Sequence, residues 1–211
     1  MTPDGAAPEP RPEDIKVPPV VAGLRVGLFG GSFDPPHQGH LHVVETALER
    51  LRLDRVWMMV TPGNPLKNRA GLPPLAARID AARALVRHPR VVVTGLEAGF
   101  GSPFSWETVR RLTACLPAVR FVWIMGADNL GAFHRWQHWR RIADAVPIAI
   151  VDRPGHTLAA LSSPAARALA GRRIPEHEAA SILDAPPPVW TFLHAPRSPL
   201  SSTALRRAGV R

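Results

Sequence analysis

The chain of 211 residues contains one cysteine, Cys115, and only two lysines, Lys16 and Lys67, among its 26 basic residues. A lone thiol excludes an internal disulfide and any metal site built on paired cysteines, and it fits a reducing, cytoplasmic setting. No apolar tract is long enough to span a bilayer, so a soluble protein with no membrane partner is expected. The basic-then-apolar order of a secretory signal is also missing. Met1 to Pro19 is instead rich in proline and acidic residues and has no periodicity. Residues 1–22 therefore read as a disordered extension ahead of a single domain, 23–211.

Other absences narrow the chemistry. There is no G-x-G-x-x-G spacing, no G-K-[ST] and no H-E-x-x-H, which argues against a dinucleotide fingerprint, a P-loop and a zinc protease site. No repeat at solenoid periods and no heptad pattern is present. The formal charge of +9 favours anionic ligands. The arginines are scattered rather than gathered in one block, which argues against a nucleic-acid partner. Composition leaves the oligomeric state open.

With 45% hydrophobic residues, the chain has the makings of a globular core. Short apolar runs at Leu24 to Gly30, Arg55 to Val60, Val91 to Thr94, Val119 to Met125, Ile148 to Val151 and Val189 to Leu193 read as buried strands. Helical spacing fits Leu41 to Leu51, Leu75 to Val86, Trp106 to Leu116, Leu158 to Ala170 and Thr203 to Ala208. Strands alternating with helices predict an α/β, Rossmann-like, doubly wound and mainly parallel sheet with helices on both faces. In such folds ligands lie beyond the carboxyl ends of the strands, so the loops G-G-S-F-D-P-P-H-Q-G-H, T-P-G-N-P-L-K-N and G-A-D-N should converge on one edge.

The first of these loops is the most informative. Gly30 and Gly31 clear the end of the first strand for a ligand. His37 and His40 frame Gly39 where the first helix begins, near N–H groups that favour anions. The pattern is that of an anion site with two titratable donors. His42, one step into the helix, is expected to be a bystander, and Asp34 to shape the turn.

Here the residues resemble a known family. G-G-S-F-D-P-P-H-Q-G-H is similar to the (H/T)-x-G-H signature of the nucleotidylyltransferase superfamily, in the form with His37 that resembles nicotinate mononucleotide adenylyltransferases. S-P-F-S-W-E-T, W-I-M-G-A-D-N-L-G-A-F-H-R-W, V-D-R-P-G and L-S-S-T-A-L-R-R follow in the family's order, so the resemblance runs from Leu24 to about Arg207.

It implies adenylyl transfer from ATP to nicotinate mononucleotide, giving nicotinate adenine dinucleotide and pyrophosphate in NAD synthesis, with Mg²⁺ carried mainly by the ATP phosphates. His37 and His40 would be catalytic. ATP would also meet Gly30, Gly31, Ser32, Phe33, Gly126, Asp128, Ser201, Ser202, Thr203 and Arg206. The last hydroxyls cap a helix in either case. The mononucleotide would meet Asn64, Lys67, Ser105 and Trp136. Lys67 also reads as an exposed loop lysine, and Trp139 competes with Trp136 for stacking on the pyridine ring, with Trp139 favoured as core. Phe104 and Ser105 stand where the family more often has tyrosine and threonine, so a phenolic hydroxyl is absent there. Nicotinamide mononucleotide or pantetheine phosphate as acceptor is the alternative within the superfamily, and nucleic-acid binding the remote one.

Overall fold

Strands buried on both faces need apolar residues at every position, and that requirement shapes the middle of this sheet. The computed structural model describes residues 9–63, 71–153 and 156–194. In chain order the elements are β1 (Arg25–Gly31), α1 (Gln38–Arg50), β2 (Arg55–Val60), α2 (Leu75–Leu85), β3 (Val91–Thr94), α3 (Leu96–Gly99) and α4 (Ser105–Cys115). There follow β4 (Arg120–Gly126), α5 (Ala127–Phe133), α6 (Trp139–Ala145), β5 (Ile148–Val151), α7 (Thr157–Leu161), α8 (Pro164–Ala168) and β6 (Trp190–Leu193). Strand order is β3-β2-β1-β4-β5-β6, and every pairing is parallel. The doubly wound α/β fold is therefore as the sequence implies.

Successive strand residues alternate between two cores. Leu28, Trp57, Trp123 and Met125 face Val109 and Leu112 of α4, Leu130 and Phe133 of α5, and Ile142 of α6. Phe29, Met58, Val122 and Ile124 face Val43, Val44, Ala47 and Leu48 of α1 and Ile79 of α2. Because β1 pairs with β2 on one side and β4 on the other, the chain reverses its direction of sheet growth between β1 and β4. That switch point opens a crevice at the carboxyl ends of these two strands.

Two expectations are corrected. The helix expected over 158–170 is split into α7 and α8, because the Ser163 hydroxyl caps a new helix, accepting from Ala166 N at 3.2 Å, and Pro164 opens it. The disordered extension does not reach residue 22. Pro12–Asp14 forms a short 3₁₀ turn, and the Asp14 carboxylate is buried, meeting Arg83 Nη2 at 2.5 Å and Arg11 Nε at 3.0 Å. The Asp14 carbonyl also accepts from Gly95 N at 2.7 Å and Thr94 Oγ1 at 2.9 Å, fastening this segment to the end of β3. The helix expected over 203–208 lies outside the described residues.

Candidate active site

Gly31 ends β1, and a Cβ there would stand 2.9 Å from the Phe33 ring. Phe33 itself takes a left-handed backbone, φ 46°, a conformation unfavourable for a bulky residue. Its ring turns inward, 2% exposed, and packs edge-on to His40 with centroids 4.9 Å apart. The Phe33 side chain thus supports an imidazole.

The two predicted histidines cap α1 reciprocally. His37, the N-cap, accepts from Gly39 N through Nδ1 at 3.1 Å, and His40 Nδ1 accepts from His37 N at 3.2 Å. Each bond requires an unprotonated Nδ1, so each neutral ring carries its hydrogen on Nε2. The rings lie 3.8 Å apart between centroids. His37 Nε2 is buried and has no hydrogen-bond partner among the described residues. Burial and, after it, the charge of Arg153 push the His37 pKa down to about 4, with Asp128 opposing. His37 is therefore a neutral N–H donor at neutral pH, buried at the start of a helix.

Across the switch point, Gly126 ends β4 and is the N-cap of α5. A Cβ at this position would stand 2.5 Å from Asp128 Oδ1 and 3.0 Å from Arg153 Nε, so glycine is what lets the pair close over the strand end. Asp128 Oδ1 lies 3.6 Å from Arg153 Nε. Arg153 follows β5 and is 14% exposed, and its Nε has no hydrogen-bond partner among the described residues. Asp152, beside it, is committed elsewhere, accepting from Arg153 N and Thr157 Oγ1. Arg153 was not among the expected site residues. V-D-R-P-G marked the segment, but only the strand order brings it near His37.

Trp136 is half-buried, edge-on to Phe133 at 5.4 Å and to Trp123 at 6.2 Å, whereas Trp139 is buried at 7% exposure. Trp136 is thus the indole with surface to offer, and Trp139 belongs to the core. Ser105 opens α4, and no side chain caps that helix. The adjoining Trp106 ring meets His138, two residues from Trp136, at 6.3 Å. Gly30 and Ser32 are half-buried at the end of β1 and in the loop after it. Asn64, Lys67, Ser201, Ser202, Thr203 and Arg206 lie outside the described residues. Among the described residues no group of three His, Cys, Asp or Glu side chains could hold a metal ion, and no helix is long and apolar enough to cross a membrane.

Residues 28–208 match the family model described as cytidylyltransferase-like. A curated protein of Methylorubrum extorquens named "Probable nicotinate-nucleotide adenylyltransferase" is 57% identical over 87% of this chain and 99% of its own length. One of the same name from Rhizobium meliloti is 56% identical over 88% and 98%. Among solved structures, Plasmodium falciparum nicotinic acid mononucleotide adenylyltransferase superposes with a TM-score of 0.66 in its complex with NaAD and 0.63 in its complex with APC. Identity in both is 16%, over 87% of this chain and 83% of the other, which speaks to the fold.

Proposed function

The chain belongs to the nicotinate-nucleotide adenylyltransferases of the cytidylyltransferase-like family, and we propose that it transfers the adenylyl group of ATP to nicotinate mononucleotide. A 5′-phosphate oxygen of the mononucleotide bonds to the α-phosphorus of ATP as the bond to the β-phosphate's bridging oxygen breaks. The electron pair leaves on pyrophosphate, and nicotinate adenine dinucleotide remains. Such a transfer needs alignment and charge stabilisation rather than a covalent nucleophile.

The observation that carries this reading is the reciprocal imidazole cap, which fixes the His37 and His40 tautomers so that both Nε2–H groups are donors at the head of α1. Donors held in place before reaction stabilise developing charge on phosphate oxygens, and one well-placed donor is worth roughly 3–4 kcal/mol. Arg153, whose charge acts on His37, adds a positive charge near the imidazoles, with Asp128 Oδ1 3.6 Å from its Nε. The nearby Asp128 carboxylate is suited to ribose hydroxyls. Mg²⁺ would be carried by the ATP phosphates rather than by protein ligands, and would supply charge neutralisation there. The imidazole and guanidinium donors of this crevice suit a ligand whose metal arrives already bound to phosphate.

On the acceptor side, the uncapped N-terminus of α4 at Ser105 suits the nicotinate carboxylate, and the Trp136 face suits the pyridine ring. Asn64 and Lys67 are assigned to the mononucleotide phosphate, and Ser201, Ser202, Thr203 and Arg206 to ATP, on the family pattern alone. We place the reaction in the cytoplasm, in keeping with the free Cys115 thiol. Pyrophosphate release with nicotinate mononucleotide and with its amide tests the reading. A site built for a carboxylate should favour the acid by at least about tenfold; equal rates would reject a site built for the carboxylate, and release with neither would reject the acid as substrate.

A further inference from the structure

Arg78, on α2, is 3% exposed, and its guanidinium donates to three carbonyls that belong to different parts of the strand-end loops. Nη1 reaches Ser32 O at 2.9 Å and Thr61 O at 2.8 Å, and Nε reaches Pro73 O at 2.9 Å. Ser32 lies in the phosphate loop after β1. Thr61 and Pro73 flank the loop that carries Asn64 and Lys67. The Thr61 amide is itself tied to β1, donating to Gly31 O at 2.9 Å. Asp34 lies close enough to favour the cationic form of Arg78, which burial otherwise opposes.

A buried cation bonded to three carbonyls gives up hydration in exchange for geometry, and the planar fork of arginine can direct separate N–H groups at separate targets. Every residue it joins is adjacent to a substrate loop. We infer that Arg78 is a positioning residue that pins the phosphate loop to both ends of the loop after β2, setting the spacing between the ATP and mononucleotide halves of the site. The inference rests on the adenylyltransferase reading and adds to it a residue that touches neither substrate. A lysine would keep the charge but lacks the fork, so its head cannot hold all three carbonyls in the same arrangement.

The test uses the full chain with Arg78→Lys and, as a second variant, Arg78→Ala with and without methylguanidinium. For folded variants the KM for nicotinate mononucleotide should rise at least tenfold, with the KM for ATP also raised. Methylguanidinium, but not the same concentration of sodium chloride, should restore Arg78→Ala toward the parent. A fall in kcat with both KM values within twofold of the parent would overturn the inference, as would variants that cannot be obtained folded, since Arg78 would then serve the fold alone. ATP affinity measured by equilibrium titration keeps the two readings apart. If the parent releases no pyrophosphate, the adenylyltransferase reading fails, while the ratio of variant to parent ATP affinity still tests Arg78.

Discussion

Glu97→Gln should stabilise this protein at alkaline pH and leave it nearly unchanged at acid pH. Glu97, in α3, is 3% exposed and accepts from Thr108 Oγ1 at 3.2 Å, with Thr61 as a second side-chain partner. Burial raises its carboxyl from an ordinary 4.5 to about 7, and the two hydrogen bonds offset only part of that rise. Since the folded state holds this proton more tightly than the unfolded chain, stability falls as pH rises from about 4.5 and the full penalty is present above about 7. At 1.36 kcal/mol per unit, the shift corresponds to a penalty of up to about 3 kcal/mol. Glutamine has the shape and hydrogen-bonding capacity of the protonated acid, so it removes the penalty while keeping the contacts. Urea unfolding followed by tryptophan fluorescence, run on parent and variant at pH 5 and pH 8.5, gives the difference directly. Other titrating groups, His37 included, contribute equally to both proteins and cancel. A variant advantage of the same size at both pH values, or a loss at pH 8.5, would refute the argument.

Trp136→Ala should raise the KM for nicotinate mononucleotide with a smaller effect on kcat, whereas Trp139→Ala should mainly lower the urea midpoint; an unchanged KM in the first variant would remove Trp136 as the stacking platform. Asp14→Ala should cost about 1–3 kcal/mol of stability at pH 7, because it leaves the part-buried Arg83 without its carboxylate; an unchanged urea midpoint would show that the N-terminal segment contributes nothing to the fold.

The strands could be read from sequence because their chemistry is one-sided. A strand covered on both faces must be apolar throughout, and R-V-W-M-M-V or F-V-W-I-M has few other uses. The His37 and His40 pair was equally legible, since its spacing around Gly39 is local. What escaped was whatever depends on strand order or on burial. Arg153 is one arginine among many until β5 is placed next to β4. Arg78 sits on an alanine-rich helix and looks solvated until the carbonyls of Ser32, Thr61 and Pro73 close round it. The loop expected at G-A-D-N, residues 126–129, is instead the start of α5, because the helix begins directly at the end of β4. Asp14 lies in a segment whose composition resembles disorder, yet its buried carboxylate and its carbonyl both tie that segment to the domain.

The central claim is that the capped histidines at the head of α1 carry the adenylyl transfer. The most direct measurement is the rate of pyrophosphate release from ATP and nicotinate mononucleotide by the parent and by His40→Ala, with folding checked by circular dichroism and ATP binding by titration. The account predicts a parent that turns over and a folded variant slower by at least roughly a hundredfold. A folded variant within about threefold of the parent would contradict it.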